Sequence, residues 1–229
     1  MTVADPTLRV EKKILREGAR YVIGMDEVGR GAIAGPLAIG VCVFDASVKR
    51  MPRGLRDSKM LSEKRREELA PQARKWALHS AVGVVGNDEI DRLGLTACLG
   101  LAAARAIRAL ADGGVPLQES VVILDGSWDY LNPALEERVR VHTRVKADRD
   151  CASVAAASVV AKVHRDRFMI EAHDGAPAYG WSGNKGYAST AHYAAIDTHG
   201  PHGLHRVTWL RQPSLFDELG EGIGEPLVV

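Results

Sequence analysis

Acidic residues interrupt the apolar stretches of this chain at a few chemically telling places. Asp26 and Glu27 follow the run Tyr21-Val22-Ile23-Gly24-Met25, and Asp125 follows Val121-Val122-Ile123-Leu124. Asp148 sits in Lys146-Ala147-Asp148, between an alternating segment and an alanine-rich one. If the apolar runs are neighbouring strands of an open α/β sheet, their C-terminal ends converge and bring these carboxylates together. Gathered carboxylates repel and raise one another's pKa. Divalent cations remove that cost, and an all-oxygen donor set without His or Cys suits Mg²⁺ or Mn²⁺ better than zinc. Two such ions roughly 3.5–4 Å apart can activate a water and stabilise the leaving oxygen of a phosphodiester. Neighbouring residues on a regular strand point to opposite faces, so Asp26 and Glu27 share a site only if the strand ends at them. Taken singly, each acid has the plainer reading of a solvent-facing strand cap.

Gly29-Arg30-Gly31 comes directly after the first pair of acids. Two glycines around a basic residue let the backbone approach a ligand closely, with free N–H groups for a sugar hydroxyl or a phosphate. The chain holds no GxxxxGK[ST] and no GxGxxG, which argues against P-loop and dinucleotide chemistry.

The elements that must position these residues follow from periodicity. Tyr21–Asp26 reads as a strand, and Leu37–Phe44 as a second one, continuous enough to be buried on both faces. Ser62 before Glu63 is a helix start, with the helix end and a third strand between Trp76 and Val85. Asn87 opens another helix, Leu95–Leu110 is helical up to Asp112-Gly113-Gly114, and Val121–Asp125 is a fourth strand. Val139–Val145 alternates as a fifth strand, Cys151–His173 is a long helix, and 189–198 is a last one. Strands clustered first, then alternating with helices, predict an α/β fold with a mixed central sheet flanked by helices.

Composition bounds the function classes. The 229 residues are 46% hydrophobic and 26% charged, which are globular proportions. Lys+Arg 30 against Asp+Glu 29 excludes a polycationic or acidic solvating chain but leaves room for a local nucleic-acid surface. Aromatics at 5% exclude a surface built mainly of base-stacking rings. Cys42, Cys98 and Cys151 are scattered, so neither a disulfide framework nor a thiolate zinc site is expected. No apolar run near the N-terminus is long enough for a signal peptide or a span, so a reduced, cytoplasmic, membrane-free monomer is expected.

Several motifs then stand in a recognisable order. Gly24-Met25-Asp26-Glu27-Val28-Gly29-Arg30-Gly31 with Ala34-Gly35-Pro36 resembles the signature of type 2 ribonucleases H, the bacterial ribonuclease HII group. Asp57-Ser58-Lys59 with Leu61-Ser62 and Lys64-Arg65, Leu124-Asp125-Gly126, and Lys146-Ala147-Asp148 with Ala155–Ser158, Ala161–Val163 and Arg165-Asp166 continue the resemblance. Lys185-Gly186-Tyr187, His199-Gly200-Pro201 and His205-Arg206 complete it, over residues 20–210 or so. The resemblance implies a ribonuclease H-like fold with a helical C-terminal part, over 20–211, between an N-terminal arm or helix at 1–19 and a flexible tail at 212–229. It implies an endonuclease that cuts the RNA strand of RNA–DNA hybrids and nicks 5′ to single ribonucleotides in duplex DNA, by two-metal-ion in-line attack of water leaving 3′-hydroxyl and 5′-phosphate ends. Carried over by position, Asp26, Glu27, Asp125 and Asp148 are its catalytic and Mg²⁺- or Mn²⁺-binding acids, with Asp150 a competitor to Asp148. Gly29, Arg30 and Gly31 would read the 2′-hydroxyl, and Tyr187 would stack on the next deoxyribose. Lys59, Lys162 and Arg165 are candidates for phosphate contacts, against the plainer reading of solvated faces.

Two features lie outside that pattern. His199, His202 and His205 have zinc-like spacing, but Gly200, Pro201 and Gly203 break any helix that would align them, which favours a loop role. Gln212-Pro213-Ser214-Leu215-Phe216 resembles the pentapeptide by which bacterial replication proteins bind the DNA sliding clamp, with Gln212, Leu215 and Phe216 as contacts; packing back on the domain is the alternative. Two other functions compete: a ribonuclease H-fold nuclease for another nucleic acid, and an inactive hybrid-binding, clamp-associated adaptor.

Overall fold

A computed structural model describes residues 5–210. The chain opens with helix α1 (Arg9–Arg16), then strands β1 (Tyr21–Val28) and β2 (Leu37–Phe44). Helix α2 (Glu63–Trp76) follows, its first turn capped by the Ser62 hydroxyl, which accepts from the Arg65 N–H. Strand β3 (His79–Val85), helices α3 (Asn87–Leu93) and α4 (Leu95–Asp112), and strands β4 (Ser120–Asp125) and β5 (Arg140–Arg144) complete the first part. The rest is helical: α5 (Ala147–Asp150), α6 (Ala152–Gly175), α7 (Trp181–Asn184) and α8 (Thr190–His199). The long C-terminal helix expected from Cys151 is thus preceded by a separate turn of helix, and it is this turn that holds Asp148.

The five strands form one mixed sheet in the order β3-β2-β1-β4-β5. β1 and β3 run antiparallel to β2, whereas β4 is parallel to β1 and β5 parallel to β4. Period-two alternation divides the strand side chains between two layers. Ile23, Met25, Ile39 and Val41 face α4, against Leu99, Ala102, Ala103 and Ala106. Cys42 and Phe44 face α2 and α6, against Leu69, Ala73, Ala156 and Val160. Each fully buried branched side chain here contributes roughly 1.5–3 kcal/mol.

On the α6 side the contact is backbone on backbone. A Cβ at Gly24 would sit 2.2 Å from the Ser153 carbonyl carbon, and one at Gly40 would sit 2.4 Å from the Ala157 oxygen. Only glycine lets the helix lie this close. The leading helix is tied to the same place. Glu11 is fully buried and accepts from the Ser153 N–H at 2.8 Å, capping the first turn of α6. Thr7 exchanges backbone hydrogen bonds with Asp150 and Ala152.

The expectation that β1 ends at its acids needs correction. β1 continues through Glu27 and Val28, paired with Ile39 and Ala38 of β2. What ends is its other neighbour: the last β1–β4 pair is Met25–Leu124. Beyond it the β4 side of β1 is an open notch, and Asp26 and Asp125 flank its base.

Candidate active site

Three elements bring four acids to this notch. Asp26 points to the α6 face and is 3% exposed. Glu27, one residue on, lies on the opposite face but at the open edge, where it lines a cleft of about 350 Å³ with Asp125 and Asp148. Asp125 leaves the end of β4, and its Oδ1 accepts from the Ala147 N–H at 2.7 Å, joining β4 to the first residue of α5. That bond places Asp148 beside it. Asp150, by contrast, is ion-paired with Arg144 and is about half exposed, so of the two candidates Asp148 is the one in the cleft.

Cations lean in from the rim. The Lys59 ammonium is 3.6 Å from Asp148, and the Arg30 guanidinium is 3.6 Å from Glu27. Lys59 is aimed by its local fold: Asp57 accepts from the Lys59 N–H at 2.9 Å, and Ser58 is pinned to α6 by a 2.8 Å contact with Ser158. Lys146, in the left-handed region at φ 61°, and Arg149 complete the basic rim.

The electrostatics are those of crowded, desolvated carboxylates. Burial, reinforced by the charges of Glu27 and Asp125, raises the Asp26 pKa well above the usual range, against a lowering pull from Lys59. Burial and then Asp125 raise Glu27. Burial, Asp125 and Asp57 push Asp148 up to about 6. Burial opposes the charge on Lys59, but Asp26 and Asp148 outweigh it and raise the pKa.

Among the described residues, no three His, Cys, Asp or Glu side chains stand close enough to form a finished metal cluster. Their present partners explain the spacing: Glu27 leans to Arg30, Asp148 to Lys59 and Asp125 to Ala147. The donor set nonetheless fits a hard divalent cation. It is all oxygen, and Asp26 is a buried carboxylate crowded by the charges of Glu27, Asp125 and Asp148. Like charges gathered in a buried place are costly unless a cation joins them.

The Gly29–Gly31 loop lies at one side of the cleft. Gly29 has φ +83°, and a Cβ there would strike the Arg165 Nε at 2.2 Å. Gly31 is exposed, and a Cβ on it would meet nothing within 4 Å. Among the described residues nothing therefore crowds that position. Tyr187 is carried to the loop by an antiparallel bridge with Ala32 and by the N–H groups of Ile33 and Ala34, which donate to Gly186.

The two remaining expected phosphate contacts are otherwise engaged. Arg165 is fully buried, and its guanidinium donates to the carbonyls of Pro36, Ala34 and Lys185 at 2.8–3.0 Å, so the expected phosphate contact is corrected to an internal one. Lys162 is paired with Asp166 at 2.6 Å, and both cations lie against the Tyr187 ring, 5.1 Å (Arg165) and 5.5 Å (Lys162) from its centroid.

The histidines bond to one another rather than fan out. His202 N–H donates to His205 Nδ1 at 2.8 Å, His205 Nε2 lies 3.0 Å from His192 Nε2, and His192 Nδ1 lies 2.9 Å from the Tyr187 carbonyl. The Trp181 indole also donates to His192 Nε2 at 3.1 Å. The Tyr187 carbonyl can only accept, which puts the His192 proton on Nδ1, while His205 Nδ1 also lies 3.1 Å from the His202 carbonyl.

Sequence reasoning did not anticipate Tyr130 and Trp128 in the cleft wall. Tyr130 is 4% exposed, and its hydroxyl has no partner among the described residues. Its only sequence signal was an aromatic five residues past Asp125. Gln212, Leu215 and Phe216 lie outside the described residues.

Comparison with known proteins follows from this geometry. The family model described as Ribonuclease HII matches residues 23–212. A ribonuclease HII of Streptomyces griseus is 45% identical over 213 residues, covering 91% of this chain and 86% of the relative. The structure of the PCNA:RNase HII complex from Archaeoglobus fulgidus superposes with a TM-score of 0.64 at 29% identity, covering 86% of this chain and 99% of the other. Bst-RNase HIII in complex with Mn²⁺ superposes with a TM-score of 0.59 at 25% identity, covering 80% and 64%.

Proposed function

The chain belongs to the ribonuclease HII family, and on that premise we propose that it nicks duplex DNA 5′ to embedded single ribonucleotides and cleaves the RNA strand of RNA–DNA hybrids. Ribonuclease H endonuclease activity comes with the family. The finer assignment rests on one observation: acids from β1, β4 and α5 border a single cleft beside an exposed glycine loop.

Asp26, Glu27, Asp125 and Asp148 would hold the divalent ions, Mg²⁺ or Mn²⁺. Two such ions, when bound, supply activation of water and stabilisation of the leaving oxygen. The chain's own residues do the rest. Unneutralised, the four acids repel the scissile phosphate, so the cut itself needs cations, whereas the contacts of the glycine loop to the sugar do not. Lys59 and Arg30, freed from the acids, would take phosphate oxygens of the substrate backbone. The N–H groups of Arg30 and Gly31 meet the 2′-hydroxyl, which is the chemical difference between RNA and DNA. Tyr187 would stack on the next deoxyribose, where an added 2′-oxygen would crowd its ring. The products carry 3′-hydroxyl and 5′-phosphate ends.

The test is one gel: a duplex with a single ribonucleotide, incubated with Mg²⁺, Mn²⁺ or chelator. A nick on the 5′ side that chelator abolishes supports the reading. Equal cleavage of an all-DNA duplex supports a different substrate, and tight binding without cleavage supports an adaptor. No helix among the described residues is long and apolar enough to cross a membrane. Docking of Gln212, Leu215 and Phe216 on a sliding clamp draws support from the PCNA complex of the Archaeoglobus relative. Loss of clamp binding by a 208–220 peptide when Leu215 and Phe216 become Ala tests it.

A further inference from the structure

Two arginines are buried directly behind the Gly29–Gly31 loop. Arg165 and Arg206 are each 0% exposed, and among the described residues neither forms an ion pair with a carboxylate. Their donors go to backbone carbonyls instead. Arg206 reaches Gly29 O at 2.7 Å, Arg30 O at 3.1 Å and Gly35 O at 3.1–3.2 Å. Arg165 takes the next stretch, Ala34 O and Pro36 O, and reaches across to Lys185 O, two residues before Tyr187. Burying an unpaired guanidinium is expensive, and burial together with the neighbouring Arg165 charge lowers the Arg206 pKa to about 10. A fold that tolerates two such groups side by side gains something from their position.

The gain follows from the planarity of the peptide bond. The N–H of a trans peptide points opposite to its C=O. With the Gly29 and Arg30 carbonyls turned in to Arg206, the N–H groups of Arg30 and Gly31 must face outward. Both residues are exposed, neither N–H has a partner among the described residues, and Arg30 lines the cleft. Adjacent outward N–H groups in a turn, backed by two cations, favour an oxygen-rich ligand.

We propose that Arg206, seconded by Arg165, is a positioning residue for ribonucleotide recognition: it holds the carbonyls of Gly29 and Arg30 so that the following two N–H groups are preset for the 2′-hydroxyl and its phosphate. This rests on the reading of the loop given above, and the experiment separates the two. Binding to a fluorescent duplex with one ribonucleotide, and to the same duplex in all-DNA form, is measured by anisotropy in chelator, where no cleavage occurs. The wild-type protein prefers the ribonucleotide duplex. In Arg206→Met the preference shrinks by a factor of about ten while all-DNA binding changes less than about threefold. Arg206→Lys keeps the charge but not the forked donors and loses most of the preference too; it carries the test should the Met variant not fold by circular dichroism. A folded variant that keeps the wild-type preference, or one that weakens on both duplexes equally, overturns the positioning role. A wild-type protein with no preference overturns the reading of the loop, and the positioning role with it.

Discussion

The Lys59 ammonium stands 3.6 Å from the Asp148 carboxylate, an exposed cation leaning on a buried acid. In chelator, Asp148 should titrate near 6 by carboxyl ¹³C NMR, and Lys59→Met should move it higher, because the cation's lowering influence is gone. A raised acid stabilises the fold fully below its unfolded pKa, and that contribution is lost as pH rises through about 6. Added Mg²⁺ should therefore raise Tm more at pH 8 than at pH 5. An Asp148 titrating near 4 would contradict the argument.

Asp26→Asn and Asp125→Asn should each lower turnover at least ~100-fold with Mg²⁺, through loss of an ion ligand. In chelator the two should differ. Asp26→Asn removes a buried carboxylate that neighbouring acids repel, so its Tm should rise, whereas Asp125→Asn disturbs the contact to Ala147 N–H and should lower it. Near-wild-type turnover in both variants would take these carboxylates out of the chemistry.

Tyr187→Ala should cost about tenfold in kcat/KM on a single-ribonucleotide duplex, in line with loss of one stacking ring. On long hybrids the loss should be small. Equal losses on the two substrates would mean that the ring only packs.

The His192–His205 contact leaves room for one proton between two ring nitrogens. Burial lowers both pKa values, His205 to about 4, within a wall of Tyr179, Trp181 and His202 rings. A depressed histidine contributes stability that is complete above its unfolded pKa near 6.5 and is lost as pH falls toward 4. The scale is roughly 3 kcal/mol for His205. His205→Asn should flatten the acid side of a Tm-against-pH curve, and an unchanged slope would dismiss the pair as its cause.

Gly40→Ala should destabilise by about 1–3 kcal/mol or more, because the new methyl meets backbone and not a movable side chain. Chemical denaturation reads this directly; a neutral result would mean that α6 can lift off the sheet.

Much of this site was legible in the sequence because the signal was local. Apolar runs ending in acids gave β1 and β4 with Asp26 and Asp125, and motif context separated Asp148 from Asp150. What eluded reading depended on tertiary partners. That Asp26 and Glu27 lie beside one open edge turned on where β4 stops, not on where β1 does. Arg165 looked like a surface cation on a charged helical stretch, and only the approach of residues 34–36 and 185 explains its burial. Tyr130 has no motif around it and enters the cleft through the loop after β4.

Glu11 and Thr7 grip the first turn of α6 from outside the stretch that the family model matches, which starts at residue 23. The border of the matched stretch is thus not the border of cooperativity. A protein trimmed to its recognisable portion would forfeit the clasp on the helix adjoining Asp148, and its failure would be easy to mistake for a defect in chemistry.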